Sequence, residues 1–471
     1  MKRILCSVLA LGLLAGCAPL SGSTATAETA ETAPAPTAVP QQLTVYYEAG
    51  ADTAAAEALN RYADAQGVEL EVLTPGADTD PAQADLAVLN AAPAADDEAW
   101  LNMGTDSLLS TAAIRAGVDA ETAVSAVTAL PLGKTLYGYW ADKRVLGALF
   151  QAEDTDTLVT DLKAATWSEW SDLAETVTAW LAEPAETTVT LNGTDYTLPA
   201  EKPEAAADLT AVFTLPLDPA GAQSPAAAYT GVLLAAGDNL SEDGLTGPLN
   251  GLYSALTLEL TNRELSVLPG QDNAAAALQA DTALEAQEGQ ALFCRSTLAD
   301  LLVHTGTDLQ DNLVCLPLKC DFVESDIDAS SEYNLTGLMN YPILATSAWL
   351  AIPAGTDEAG VHAAAAAILW LYTSEPGEET LTETLGLITP WGTASNDSAV
   401  CQMQIDQVGA GILPEVTLTP AQTEALGAAG QSLLFNEDST FRTEFARTDR
   451  DSWRDSVLAA LVPAGDTESE S

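Results

Sequence analysis

Apolar and polar positions alternate most clearly from residue 43 onward. Leu43-Thr44-Val45-Tyr46-Tyr47 reads as a strand, and residues from about Asp52 to Gln66 read as a helix with Leu59 and Tyr62 on one face. Glu69-Leu70-Glu71-Val72-Leu73 and Ala84-Asp85-Leu86-Ala87-Val88-Leu89 follow as two further strands. Strands alternating with helices predict an α/β fold with a mostly parallel sheet covered on both sides. Ligands of such sheets lie at the carboxyl ends of the strands, where strand order switches. Tyr47, Glu48 and Asn90 are thereby expected on loops facing a cleft.

The pattern continues along the chain. Thr166-Trp167-Ser168-Glu169 predicts a helix start with a capping box, followed by Trp170, Leu173, Val177 and Leu181 at helical spacing. Helices are expected over about Leu249–Asn262, over the Ala-rich stretch from about Asp357 to Thr373, and near Asp451–Leu461. Ala291-Leu292-Phe293-Cys294, Leu313-Val314-Cys315-Leu316 and residues 347–353 read as strands, with a helix ending around Asp281–Gly289. No internal repeat is visible.

The ends of the chain have a different character. Residues 18–42 are almost wholly Ala, Thr, Ser, Pro and Glu without apolar periodicity, as expected of a disordered tether, and the last residues form an acidic tail. The N-terminus has Lys2 and Arg3, an apolar run from Ile4 to Leu14, and Leu14-Ala15-Gly16-Cys17. This is the layout of an export signal, and the apolar run is shorter than the about 20 residues a membrane span takes. Leu-Ala-Gly-Cys resembles the lipobox of bacterial lipoproteins. That resemblance implies cleavage before Cys17, lipid attachment to it, and a location on the outer face of a cell membrane.

Charge and cysteines narrow the picture further. The 471 residues carry 68 acidic and 16 basic side chains, a net charge of −52. Such a surface repels phosphate backbones, so no nucleic acid partner is expected. Cys294, Cys315, Cys320 and Cys401 remain in the body of the chain; they are small buried hydrophobes or disulfide partners, and sequence does not choose. With only His304 and His362 as histidines, no metal site and no cofactor are expected.

Several segments together resemble the extracellular solute-binding proteins of ABC importers, in the group that contains sugar receptors. They are Leu136-Tyr137-Gly138-Tyr139-Trp140-Ala141-Asp142-Lys143, Thr166-Trp167-Ser168-Glu169-Trp170, Glu288-Gly289-Gln290-Ala291-Leu292-Phe293, Ala351-Ile352-Pro353-Ala354 with the helix after it, and Leu385-Gly386-Leu387-Ile388-Thr389-Pro390. The resemblance covers roughly residues 43–462. It implies two hinge-linked α/β lobes with a ligand cleft between them, and a closed form that docks on membrane permease subunits. The implied layout is a signal over 1–16, lipidated Cys17 and tether over 17–42, and a first lobe over 43–135 and 345–395. The second lobe takes 136–344 and 396–463, with a tail over 464–471. Chain crossings are expected near 133–140, 341–347 and 392–400. The loop after the third motif reads Cys294-Arg295-Ser296-Thr297-Leu298, without the aromatic residue common in sugar receptors.

Sugar sites combine aromatic faces with carboxylates, amides and arginine. Trp391, in a polar loop after Pro390, is the stacking candidate, while Trp167, Trp170, Trp140 and Trp349 read as core. Tyr47, Glu48, Asn90, Asp238, Asn239 and Tyr341 are further ligand candidates. Arg295 suits a ligand carboxylate or hydroxyls and would equally pair with an acid. There is no G-x-S-x-G elbow or H-E-x-x-H, and Gly133-Lys134-Thr135 lacks the earlier glycine of a phosphate loop, so no enzyme activity is expected. The expected function is a lipid-anchored, monomeric receptor that captures a small solute, a carbohydrate first, for an ABC transporter. The alternatives are a receptor for a cationic solute such as a polyamine, or a surface lipoprotein of the same fold acting as a sensor or adhesion module.

Overall fold

Two sheets, each with its own helices, are joined where short passages of the chain lie side by side. The computed structural model describes residues 40–48, 53–73, 79–118, 127–213, 230–261, 290–304, 307–392, 399–409, 413–415, 417–434 and 449–462. The export signal, Cys17, most of the expected tether, the helix end at 281–289 and the acidic tail lie outside these residues.

The first lobe begins with β1 (Gln42–Tyr47), α1 (Thr53–Gln66), β2 (Glu69–Leu73), β3 (Leu86–Leu89), α2 (Ser107–Arg115) and β4 (Ala129–Pro131). The chain then enters the second lobe through β5 (Lys134–Asp142), α3 (Lys143–Leu149), α4 (Thr155–Ala164) and α5 (Trp167–Ala182). A hairpin of β6 (Thr187–Leu191) and β7 (Thr194–Leu198) follows, then β8 (Leu209–Phe213), α6 (Thr230–Ala236) and α7 (Glu242–Thr261). The same lobe continues with β9 (Gln290–Thr297), α8 (Leu298–His304), α9 (Thr307–Gln310), β10 (Leu313–Leu316), α10 (Leu335–Asn340) and β11 (Ile343–Thr346). β12 (Trp349–Ala351), α11 (Glu358–Thr373) and α12 (Glu375–Glu379) return to the first lobe. The last described helices are α13 (Ala399–Gly409), α14 (Pro420–Leu434) and α15 (Arg450–Leu461).

The first sheet has the order β2-β1-β3-β12-β4. β1 pairs in parallel with β2 and β3, as the alternating pattern predicts. β12 runs antiparallel to both β3 and β4, because it enters from the hinge end of the sheet. Leu43, Val45, Leu86, Val88, Leu130 and Leu350 point to one face, where they meet the apolar sides of α1, α2 and α11. α11 is capped by Asp357, whose side chain accepts the Gly360 N–H at 2.9 Å.

The second sheet has the order β10-β5-β9-β8, with β11 also on β5. Here only β8 and β9 pair in parallel; β5 is antiparallel to β9, β10 and β11. The mostly parallel pairing expected for each lobe therefore gives way in this sheet, because β5 enters at the hinge while the strands beside it run back toward it. Gly138 of β5 is required by close approach: a Cβ there would meet Leu316 O at 2.3 Å. One face of this sheet buries Tyr139, Phe213 and Phe293 with Trp170 of α5, and the Trp170 and Phe293 rings lie 4.8 Å apart. The capping box of α5 is formed: Thr166 N–H donates to Glu169 Oε2 at 2.8 Å, and Glu169 N–H to Thr166 Oγ1 at 3.3 Å. α14 and α15 pack into the same core through Leu426, Leu433, Trp453 and Val457.

The opposite face buries Trp140, Cys294, Cys315 and Cys401. Cys294 and Cys315 sit on either side of Trp140 in the strand register. All four described cysteines are buried and none is in a disulfide, which answers the question the sequence left open.

The passages between the lobes are short and hydrogen-bonded to one another. Leu132 N–H donates to Ala348 O at 2.8 Å, and Ser347 N–H to Gly133 O at 2.9 Å. Lys134 and Ile388 exchange two backbone bonds of 2.8 and 2.9 Å. The first two passages are thus at 132–133 and 347–348, at the edges of the expected ranges 133–140 and 341–347. Residues 136–140, expected as a crossing, are the interior of β5 instead. At 387–388 the chain passes from the first lobe's core to the second's, and Trp391 again packs on the first. Residues 393–398 of the expected third crossing lie outside the described residues.

Candidate functional site

β1, β3 and β12 meet the hinge with their cleft-side ends together: Tyr47 is in register with Val88, and Trp349 with Leu89. Glu48 follows β1, and its N–H donates to Val88 O at 2.9 Å. Its carboxylate turns back across the gap to β3, where Oε2 accepts the Asn90 N–H at 2.6 Å. Tyr47, Glu48 and Asn90, expected together from the strand pattern, are brought together at this edge.

Alternation along the strands decides what lies beside them. Tyr47 packs against the helical side of the sheet. The other face carries the small side chains Ala87, Ala129 and Ala351 with Leu89, and against them lie the partly buried rings of Tyr46, Trp100 and Trp349. Trp100 is held there by a bridge to Pro353 and by the neighbouring Leu101 N–H, which donates to Ile352 O at 2.7 Å. The arrangement is a half-exposed aromatic surface with a carboxylate at its edge, which suits stacking on C–H faces with hydrogen bonding at the rim.

The electrostatics are those of a partly dry negative site. Burial pushes the Glu48 carboxyl above its usual range; the Asn90 N–H opposes this, and the charge of Glu424 on α14 adds to the rise. Tyr46 is raised by burial and then by the charge of Glu48. Burial alone raises Tyr47. Glu48 therefore senses a carboxylate that belongs to the second lobe.

The other expected ligand residues lie elsewhere. Trp391 stands with Arg115 4.3 Å above its ring, Tyr372 5.2 Å away, and its Nε1–H donating to Glu378 Oε1 at 3.2 Å. Arg115 is itself paired with Glu378 at 3.1 Å. Trp391→Ala is accordingly expected to cost about 2 kcal/mol of stability through lost packing and cation–π contact, with solute affinity changed less than about twofold; urea unfolding and a binding titration check both parts.

Arg295 and Glu259 pair at 3.2 Å with side chains only 6% and 3% exposed. Tyr139 OH donates to the same carboxylate. Burial pushes the Glu259 carboxyl up, while Arg295 and Tyr139 hold it down. The pairing that the sequence left as an alternative for Arg295 is thus made. Asp238 and Asn239 close the turn between α6 and α7: the Asp238 N–H donates to Ser330 Oγ at 3.1 Å, and Asn239 Oδ1 accepts from Ser241 Oγ at 2.6 Å. Tyr341 follows α10 and is half-buried against the core that holds Cys294, Cys315 and Cys401.

Sequence reasoning passed over Tyr46 and Trp100 and assigned Trp349 to the core. The signal for Tyr46 was present in the alternation of β1, which puts Tyr46 and Tyr47 on opposite faces. Nothing in the local sequence places Trp100 across the sheet. A separate cavity of about 410 Å³ lies on the flank of the second lobe, between the turn after α3 and strand β7, lined by Phe150, Asp154, Asp195 and Tyr196 among others.

No family model and no curated protein matches the chain. Solved structures do match its fold. An ABC transporter solute-binding protein from Agrobacterium vitis S4, with bound D-mannitol, is 13% identical with a TM-score of 0.51, over 89% of this chain and 97% of that one. A Streptococcus pneumoniae solute-binding protein in complex with the blood group A-trisaccharide is 11% identical, with a TM-score of 0.48 over 89% and 99%. A chitin oligosaccharide binding protein is 11% identical, with a TM-score of 0.49 over 89% and 98%. The Agrobacterium vitis likeness shows the fold, that of a two-lobed solute-binding protein.

Proposed function

We propose that this chain is a receptor that captures a small solute, a carbohydrate or polyol, in the cleft beside Glu48 and Trp349 for an ABC transporter. The observation that carries the reading is the aromatic surface of Tyr46, Trp100 and Trp349 with Glu48 and Asn90 at its rim, on one lobe of a two-lobed fold. The structural neighbour crystallised with D-mannitol supports a polyhydroxylated ligand. In this reading the solute touches both lobes, so binding favours the closed form by its differential affinity. The N-terminal sequence supports export and lipid anchoring through Cys17, which would keep the receptor at a cell surface near its permease.

A thermal-shift screen of the folded protein against sugars, polyols and polyamines tests this. A true ligand at a hundredfold excess over its dissociation constant adds about 3 kcal/mol of stability. No shift with any small solute would leave the surface-lipoprotein alternative.

A cationic solute is the second reading, favoured by the Glu48 carboxylate and by the charge of Glu424 on the second lobe, which acts on it. Glu48→Gln separates the two. It keeps an acceptor for the Asn90 N–H but removes the charge, so a neutral sugar is expected to lose about tenfold in affinity and a cation about a hundredfold or more. Affinity through ionised Glu48 is also expected to fall as pH drops, beginning above the ordinary carboxylate range because the folded carboxyl is raised. Calorimetric titration over pH checks this, and Glu48→Gln should flatten the profile.

A further inference from the structure

The hinge contains a side chain standing in for backbone. The bonds exchanged by Lys134 and Ile388 form the first antiparallel rung between β5 and the passage at 385–388. Continuing that register would set Gly386 opposite Leu136. The rung is not made, because Gly386 adopts φ +60° and the chain turns away. Gln404 of α13 fills the gap: its Oε1 accepts the Leu136 N–H at 3.0 Å, and its Nε2 donates to Gly386 O at 2.7 Å. The residue is fully buried.

The two groups it joins belong to different lobes. Leu385 and Leu387 flank Gly386 in the first lobe's core, whereas Leu136 and the α13 residues Val400 and Cys401 lie in the second's. Around this amide, α8 packs into both: Leu298, Leu301 and Leu302 into the second core, Ala299 and Val303 against the first. The α8 start is tied to β5 by the Ala299 N–H donating to Thr135 Oγ1 at 3.2 Å. A Cβ at Gly386 would lie 2.5 Å from Leu302 Cδ1 and 2.7 Å from Cys401 Sγ, so both side chains would have to shift to admit one.

We infer that Gln404 is a clamp that sets the resting angle between the lobes, and through it the affinity of the receptor, without contacting the solute. The affinity half rests on the receptor reading; the angle half does not. Breaking two buried hydrogen bonds that span the hinge is expected to shift the ratio of lobe arrangements by about tenfold and the apparent affinity with it. A buried donor and acceptor would otherwise stay unpaired, so the angle relaxes until water reaches both.

The test is an inter-lobe distance distribution by electron spin resonance on ligand-free protein. Spin-labelled p-acetylphenylalanine replaces the exposed residues Asp64 on α1 and Asp172 on α5, which leaves the cysteines unreacted. Gln404→Met is expected to broaden the distribution, and a mean and width equal to those of the wild type would overturn the inference. Should Gln404→Met not fold, Gln404→Glu carries the test. Its protonated carboxyl keeps one acceptor and one donor, and its ionised form loses the donor. The distribution should resemble wild type at about pH 6 and broaden by about pH 10, given how far a buried carboxyl is raised. No change relative to wild type across that range would overturn the clamp. Because no ligand is used, a negative solute screen leaves this result intact.

Discussion

Replacing Lys319 with methionine is expected to cost about 3–5 kcal/mol of stability, the largest single effect expected outside the aromatic core. The Lys319 side chain is fully buried, and its ammonium donates to Lys163 O at 2.7 Å, Ala165 O at 2.9 Å and Met339 O at 2.7 Å. These carbonyls lie at the C-terminal ends of α4 and α10, which have no intrahelical donors left for them. Two helix C-termini, each the negative end of its dipole, converge on one cation. Burial lowers the Lys319 pKa to about 7, and the charge of Glu169 opposes that shift. Methionine matches the lysine stem in length and volume, so little cavity forms and the loss is that of the polar contacts. Urea unfolding followed by circular dichroism measures it; a loss below about 1 kcal/mol would mean that water or a backbone shift satisfies the three carbonyls.

The largest effect on binding is expected at Trp349. Trp349→Ala should weaken the captured solute by about 2–3 kcal/mol, roughly thirty- to a hundredfold or more, while the first lobe keeps its fold. The ring is only partly buried, and it stands on the open face among Ala87, Ala129 and Ala351, so its removal exposes small side chains rather than a core void. Its backbone stays in register between Leu89 and Pro131 whatever the side chain. Trp391→Ala makes the internal comparison: a tryptophan that also follows a passage between the lobes, but occupied by Arg115, Glu378 and Tyr372. Titration calorimetry of the two variants should show the loss at position 349 and not at position 391. The reverse order would move the site to the helical side of the first sheet.

The elements legible in the sequence were those whose pattern is local. β1, β2, β10, the capping box of α5 and the Ala-rich α11 came out of alternation, capping and helical spacing within a few residues of their observed limits. The Tyr47–Glu48–Asn90 edge was legible for the same reason, since the carboxyl ends of adjacent parallel strands must lie side by side. One local signal went unread: Asn192-Gly193, both at positive φ, joins the alternating strands β6 and β7 as a two-residue hairpin. What no local pattern contains is pairing between residues far apart in sequence. Arg295 meets Glu259, Trp391 meets Arg115, and Gln404 reaches Leu136 across 268 positions of sequence. Those contacts decide which polar residues are free to meet a ligand, so the sequence named candidates more readily than it could sort them.

The most direct measurement is a crystal structure of the protein with the strongest solute from the screen. The account predicts the solute at the carboxyl ends of β1 and β3, its apolar face on Trp349, a polar group at Glu48, and at least one contact from the second lobe. Solute found instead in the flank cavity beside Asp154 and Tyr196, or bound with neither Trp349 nor Glu48 in contact, would contradict it.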